Sequence, residues 1–583
     1  MPAQEGNDGL SLEIREKLPM RIGLPTRPGR PQMSSLVGPT TPGYATSEAT
    51  ETAIAPELLQ ALLDPAAYPH ASHEVAVIQT HISCVFLAGD QVFKVKKAVR
   101  FPFLDFSTLE RRRYFCEEEV RLNRRLAAGV YLGVVPIVRS GARYRVGGAG
   151  EPIEYAVHMR RLPEGRVLRG LVERGGADVG LMQRIAAKMA AFHAQAETGP
   201  AITAAGAPDA IEHTLLDNFA TLAPLAGTLV PPGTLANLQL LMESALARSA
   251  DRLRARQGAG RVRDCHGDLR PDHICCTDEL PIFDCVEFSP RFRYCDVASE
   301  MAFLAMELEF LGARPLADAL IDAYVAASGD AELSAILPFF RAYRALVRAM
   351  VAALTSAEEE IEAAARVGAR EDARRYLAIA ERAAWAAHTP LLIAVVGPSG
   401  TGKSTLAGAL AACTAFAWLR SDVLRKQRAG LAALAHPADA ERAALLYAPE
   451  RSAEVYAALA SEAEALARAG RGGIIDATFR RRTNRDRLRA AAARGAAPLL
   501  WIECRATPAT VRDRLLTRAA QGTDPSDATW TVAEAQAHDF EPLAEIARDA
   551  QLRLATDDGT DSVATACAWL ARRVGQAGAG MFP

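Results

Sequence analysis

The spacing of apolar and polar positions changes several times along the chain. Residues 1–52 are rich in Pro, Gly, Ser and Thr, with Pro25, Pro28, Pro31, Pro39 and Pro42 among them, and carry no sustained apolar period. They read as a disordered tail. From Glu74 onward, Val75–Ile78, Cys84–Leu87 and Val92–Lys96, with a Gly89-Asp90 turn before the last, predict strands joined by a tight hairpin. Over Ser107–Leu126 the apolar residues Leu109, Tyr114, Phe115, Val120, Leu122 and Leu126 fall on a helical period, and two further strands are expected around Val134–Val138 and Ile153–Met159. After Leu162-Pro163 the pattern is helical to about residue 255. A loop-and-strand segment dense in Asp and His follows at 264–300, and helices then run to about Ala387. From Leu391–Val396 the pattern changes again. Strands at Gly473–Ile475, Leu499–Glu503 and Leu552–Ala555 alternate with helices, as in a parallel sheet flanked by helices. The expected fold class is multi-domain, α+β then α/β, divided as 1–52 (tail), 53–388 and 389–583.

A chain of 583 residues is too long for one hydrophobic core, in agreement with that division. Half the residues are apolar, 23% are charged and the net charge is -2. Bulk charge therefore gives no reason to expect a nucleic-acid or membrane partner. No apolar run approaches the roughly 18 residues of a spanning helix. The first residues, with Glu5, Asp8, Glu13 and Glu16, lack the apolar core of a secretory signal, so a cytoplasmic location is expected. Five of ten cysteines (Cys265, Cys275, Cys276, Cys285, Cys295) crowd together without a C-x-x-C pair, and are read as buried free thiols rather than a zinc site.

The run Gly397-Pro398-Ser399-Gly400-Thr401-Gly402-Lys403-Ser404-Thr405 fits G-x-x-x-x-G-K-[ST] between an apolar strand and a helix. The glycines let backbone N–H groups wrap phosphates, and the helix N-terminus adds partial positive charge. Lys403 is expected to neutralise the β- and γ-phosphates of ATP and Ser404 to hold Mg²⁺. Downstream, Gly472–Ile475 ends in Asp476, the place for a carboxylate acting on the Mg²⁺ shell. Ser421-Asp422 and Arg425 follow an expected second strand, with Asp422 a candidate base and Arg425 a grip for an anionic substrate. Arg512, Arg514 and Arg518 share one helix; Arg514 and Arg518, four apart, share a face and are candidates to close over transferring phosphates.

In the other half the densest polar cluster is Cys265-His266-Gly267-Asp268-Leu269-Arg270-Pro271-Asp272-His273, leading to Pro281-Ile282-Phe283-Asp284. Two carboxylates across a short hairpin can converge, one on a substrate hydroxyl and one on Mg²⁺.

These motifs carry two resemblances. The segment from about 390 resembles small-molecule kinases of the P-loop class, including gluconate-, shikimate- and polynucleotide-kinase-like and zeta-toxin-like enzymes and AAA-type ATP-binding domains. The H-G-D cluster resembles the aminoglycoside phosphotransferases, which share a protein-kinase-like fold and whose pattern is H-G-D-x-x-x-x-N followed by an apolar-apolar-Asp strand. The second resemblance implies Asp268 as catalytic base and Asp284 as metal ligand. The family's Asn is His273 here, a poorer partner for hard Mg²⁺ than an amide oxygen. It also implies a strand lysine, Lys94 or Lys96, with Lys94 favoured, and a helix partner, Glu119 or Glu118. A buried Asp296 would brace the catalytic loop, and Thr80-His81-Ile82-Ser83 would stand at the phosphates. In this order the two halves resemble bacterial fusions described as bifunctional aminoglycoside phosphotransferase and ATP-binding proteins. The implied function is an ATP- and Mg²⁺-dependent phosphotransferase acting on a small-molecule acceptor. One alternative makes the first half a ligand sensor. The other is polynucleotide-kinase-like, resting on Arg480-Arg481-Arg482 and Arg485 to Arg489.

Overall fold

The computed structural model describes residues 54–576, apart from 71–73, 81, 102–103, 142, 360, 436–444 and 522–524. The expected tail and His81 lie outside the described residues. The chain divides into two compact units, one made of 1–229 and 250–379, the other of 230–249 and 380–583.

The first unit opens with β1 (Val75–Gln79), β2 (Ser83–Ala88) and β3 (Gln91–Lys96), then α1 (Leu109–Ala127), β4 (Tyr131–Ser140), β5 (Arg143–Val146) and β6 (Glu151–Arg160). The six strands form one sheet in the order β1-β2-β3-β6-β4-β5, antiparallel throughout. Strand β5, which the sequence pattern does not announce, is a short polar edge. Thr108 starts α1 by accepting from Arg111 N (3.3 Å), as a cap should. α1 packs against β6 and β4. Its buried face includes Cys116, Glu119, Val120, Leu122 and Asn123, so a carboxylate is carried into the core beside β3.

Helices follow, among them α2 (Val179–Gln195). The short pair β7 (Val262–Asp264) and β8 (Tyr294–Asp296) then frames the H-G-D segment. α3 (Val297–Phe310) is buried along nearly its whole length and packs on α4 (Leu333–Ala357). A small antiparallel sheet with one helix, followed by a helical half that holds the H-G-D segment, is the protein-kinase-like architecture.

The second unit is doubly wound. Its strands are β9 (Leu392–Val396), β10 (Ala417–Arg420), β11 (Gly473–Asp476), β12 (Leu499–Arg505) and β13 (Gln551–Ala555), all parallel in the order β10-β11-β9-β12-β13. Every residue of β9 is buried, which is why it reads as an unbroken apolar run. Among the helices between the strands are α5 (Lys403–Thr414), α6 (Ser421–Arg428), α7 (Pro449–Arg468), α8 (Pro508–Gln521) and α9 (Trp530–His538), with α10 (Ser562–Gln576) last. The register sets Asp476 beside both Val395 and Arg420, at the carboxyl ends of three strands, where open parallel sheets bind ligands. Among the described residues no helix is long and apolar enough to cross a membrane.

Candidate functional sites

In the second unit the turn after β9 is held by close approach. Gly397 has φ 136°, and a Cβ there would fall 2.4 Å from the Cys504 carbonyl oxygen; at Gly400, with φ 81°, it would fall 2.7 Å from Val511 Cγ1. Side chains are excluded at both places, which fixes the loop's path. Ser399, Gly400, Gly402, Lys403, Ser404 and Thr405 line a cavity of about 1220 Å³. Gly397, Pro398 and Thr401 do not line it. They shape the loop from behind, Thr401 Oγ1 donating to Pro398 O (2.8 Å).

Lys403 Nζ donates to Pro398 O at 2.8 Å, arching back over the loop. Burial pushes its ammonium below the usual lysine range, offset in part by Asp476. Burial raises the Asp476 carboxyl above its ordinary value, against the pull of Lys403, a hydrogen bond from Ser404 and Arg420, whose Nε lies 3.6 Å away. Ser404 and Asp476 are thus paired oxygen donors and fit a hard divalent ion.

Asp422 and Arg425 line the same cavity. Arg425 donates to Ser452 Oγ (3.1 Å) and lies over Tyr447, while its Nε is buried without a hydrogen-bond partner. Arg514 and Arg518 reach the cavity; Arg512 on the same helix is exposed and does not line it. Arg514 donates to Thr556 Oγ1 and O (2.8 and 2.7 Å), and Arg518 to Ala528 O (2.7 Å). Residues the sequence left without a role also take part. Gln536 Oε1 accepts from Ser399 N (2.9 Å), and Asp527 accepts from Lys426 (3.1 Å) and Tyr447 (2.8 Å), tying the segment before α9 to α6. The Arg480–Arg482 stretch is paired: Arg480 and Arg481 with Asp539, Arg481 also with Glu541, and Arg482 with Asp486. Arg485 is buried against Glu545.

In the first unit both strand lysines point inward. Lys94 Nζ meets Glu119 Oε1 (2.9 Å) and Asp284 Oδ1 (2.8 Å). Lys96 Nζ meets Glu119 Oε2 (2.7 Å) and Glu287. Lys96 and Glu119 are fully buried, and burial alone would discharge them. The facing charges outweigh it, holding Lys96 above and Glu119 below their ordinary values. Glu118 instead pairs with Arg121 at the surface.

Asp268 and Asp284 converge on His273. The His273 Nδ1 lies 2.9 Å from Asp268 O, which can only accept, so that nitrogen carries a proton, while Nε2 lies 3.4 Å from Arg270 Nη2 and 3.6 Å from Asp284 Oδ2. A divalent ion shared by His273 Nε2 and the Asp284 carboxylate would have to displace Arg270 from that nitrogen. Asp284 loses some solvation, yet Lys94 and His273 hold its carboxyl well below the usual range. Asp268 is likewise lowered against burial, chiefly by Arg270, whose Nε is 3.2 Å from Oδ1.

Two expectations are corrected. Asp296 does not brace the catalytic loop: it caps α3 through Ala298 N (2.8 Å) and pairs with Arg256 (2.7 Å). The brace is Glu300, one turn on, which accepts from His266 N (2.9 Å) and Gly267 N (2.7 Å) and from His193 Nε2 (2.9 Å). Burial opposes its ionisation, but these donors bring its pKa down to about 2. Thr80 and Ser83 are turned to the hairpin itself: Thr80 Oγ1 donates to Ser83 O (3.1 Å) and accepts from Ser83 N (3.0 Å). Cys265, Cys275, Cys276 and Cys285 are buried free thiols as expected, and Cys295 is partly exposed.

A kinase-like unit followed by a P-loop unit is the class these features define, and residues 392–543 match the family model of the AAA domain. The chain belongs to the same family as the Mycobacterium tuberculosis protein named "Uncharacterized protein Rv2004c", with which it is 32% identical over 466 residues, 79% of this chain and 89% of that one. Similar solved structures include a gluconokinase from Sinorhizobium meliloti 1021 (20% identity, 32% of this chain and 95% of that chain, TM-score 0.23). A choline/ethanolamine kinase family protein from Mesorhizobium loti is another (14% identity, 56% and 99%, TM-score 0.33).

Proposed function

We propose that the protein is an ATP-dependent small-molecule phosphotransferase whose transfer centre is the cavity of the second unit. The observation that carries this reading is one cavity lined together by Lys403, Ser404, Asp476, Asp422, Arg425, Arg514 and Arg518. Bound Mg²⁺ would supply charge neutralisation on the transferring phosphoryl group. The chain's own residues do the rest. The loop amides and Lys403 position the phosphates, and Asp422 accepts the proton of the acceptor hydroxyl. Arg514 and Arg518 stabilise the charge that develops. The pairing of Arg480 and Arg481 with acidic partners counts against a nucleic-acid acceptor.

For the first unit the lead reading is a second transfer site, with Lys94 on ATP phosphates, Glu119 orienting it, Asp284 and His273 on the metal and Asp268 as base. The contact of Arg270 with Asp268 favours another reading, a ligand sensor, because the base is already engaged by a cation. The test is mass spectrometry of phosphorylated products formed in lysate with ATP, run on the parent chain, on Lys403→Ala and on Asp268→Asn. Products that persist unchanged in Lys403→Ala sink the assignment to the second unit.

A further inference from the structure

The first unit holds a second cavity, about 230 Å³, whose lining includes neither Asp268 nor Asp284. Arg344 of α4 lines it and is only 8% exposed. Its Nε donates to Ser299 Oγ (3.0 Å) and its Nη2 to Cys295 Sγ (3.7 Å), and the guanidinium lies 5.0 and 5.8 Å from the Phe303 and Tyr343 ring centres. Among the described residues no carboxylate lies within ion-pair distance of it.

That sets Arg344 apart from the other buried or half-buried arginines around it. Arg256 is matched by Asp296 and Asp330, Arg293 by Asp264, Arg341 by Glu309 and Arg348 by Glu307. A guanidinium cannot shed its proton to escape burial, and hydroxyl, thiol and ring faces offset only part of the lost solvation. At the rim Arg291 and His213 share a single carboxylate, Asp217, at 3.4 and 3.6 Å. The one acid lining the cavity, Asp296, is taken by Arg256.

We propose that this cavity binds the oxyanion group of a small molecule, a phosphate or a carboxylate, with Arg344 as its counter-ion and Ser299 and Arg291 as further donors. The volume lies below the about 300–1,000 Å³ typical of drug-sized ligands, so the ligand is smaller than a nucleotide. Ser299 directly precedes Glu300, so the bound anion rests on the helix that braces the catalytic loop.

Cys295 supplies a local reporter, since its thiol is partly exposed, lines the cavity and touches Arg344. Its alkylation by iodoacetamide in the full chain is followed by peptide mass spectrometry with inorganic phosphate, succinate or chloride at matched ionic strength. Phosphate or succinate is expected to slow labelling about fivefold at about four times its Kd, by mass action, leaving Cys413 unaffected; whichever anion acts identifies the headgroup. Protection should vanish in Arg344→Gln and weaken in Arg291→Gln. If neither anion protects Cys295 better than chloride in the parent chain, or if Arg344→Gln stays protected, the proposal fails.

Discussion

The two candidate centres are assembled by opposite means. In the second unit nine consecutive residues, Gly397 to Thr405, form the cradle, and the loop's shape depends on glycine backbone. In the first unit the partners come from far apart: Lys96 meets Glu119 across 23 residues and Glu287 across 191, and Lys94 meets Asp284 across 190. Lys94, Lys96, Glu119 and Asp284 are each held in their charged forms by the facing charges, whereas at Glu287 burial wins and pushes the carboxyl up. A cradle of backbone can lose a side chain and keep its shape, whereas a mutual network of buried charges is part of the fold. Substitution should therefore separate function from stability differently in the two units.

The largest effect is expected for Glu119→Gln, which leaves Lys94 and Lys96 short of a shared buried carboxylate. Breaking a buried pair costs about 3–5 kcal/mol. Hydrogen exchange on peptides from β3 and α1 would read it as lost protection confined to the first unit. Unaltered exchange would mean that the network is not holding the sheet to its helix.

Next comes Lys403→Ala, for which ATP turnover should fall about 10²–10³-fold, the usual cost of removing one preorganised electrostatic contact. Exchange on β9 and α5 should stay as in the parent, because the loop path is set at Gly397 and Gly400. Collapse of β9 along with activity would erase the distinction between the two units.

Asp268→Asn separates the two readings of the first unit. As catalytic base, its loss should lower transfer attributable to that unit about a hundredfold. An unchanged product profile, with ligand binding still altering turnover in the second unit, would make it a sensor.

How much of this was legible in sequence follows from the same contrast. The P-loop was readable because its parts are contiguous and each has a local backbone reason. Asp476 was readable because an apolar strand ended in a carboxylate. Arg514 and Arg518 were separable from Arg512 by helical spacing alone. In the first unit, Asp268 and Asp284 stood out as two carboxylates across a short hairpin, but which is base and which metal ligand came only through resemblance to a known pattern. Asp296 and Glu300 show the limit: both are acids near the H-G-D segment, and only the placement of α3 decides that Glu300 reaches the loop amides while Asp296 turns to Arg256. Glu287 and Arg344 had no sequence signal, since their meaning lies in what surrounds them. Gln536 is legible only once α9 is seen to return to the P-loop.

The smallest effect is a difference in acid sensitivity between the units. In the second, His388 is fully buried, its Nε2 2.9 Å from Leu241 O, and burial brings its pKa from the ordinary 6.5 down to about 4. The unfolded chain then binds more protons between those values, so this contribution is complete above pH 6.5 and is lost as pH falls toward 4. It amounts to about 3 kcal/mol in full, of which about 2 kcal/mol is lost between pH 7 and pH 4.5. Glu381, pushed up to about 7 by burial, acts in the opposite sense over nearly the same range, so the parent alone is not diagnostic. The comparison with His388→Asn isolates the histidine: the variant's stability relative to the parent should improve on going from pH 7 to pH 4.5, read by urea unfolding of the second unit. In the first unit the contribution of Glu300 is complete above its ordinary pKa of 4.5 and is lost only as pH falls through about 2. The loop brace should therefore outlast His388's contribution on acidification. A His388→Asn variant whose pH profile parallels the parent would show that this histidine is protonated at little cost, and that the contrast in acid response lies elsewhere.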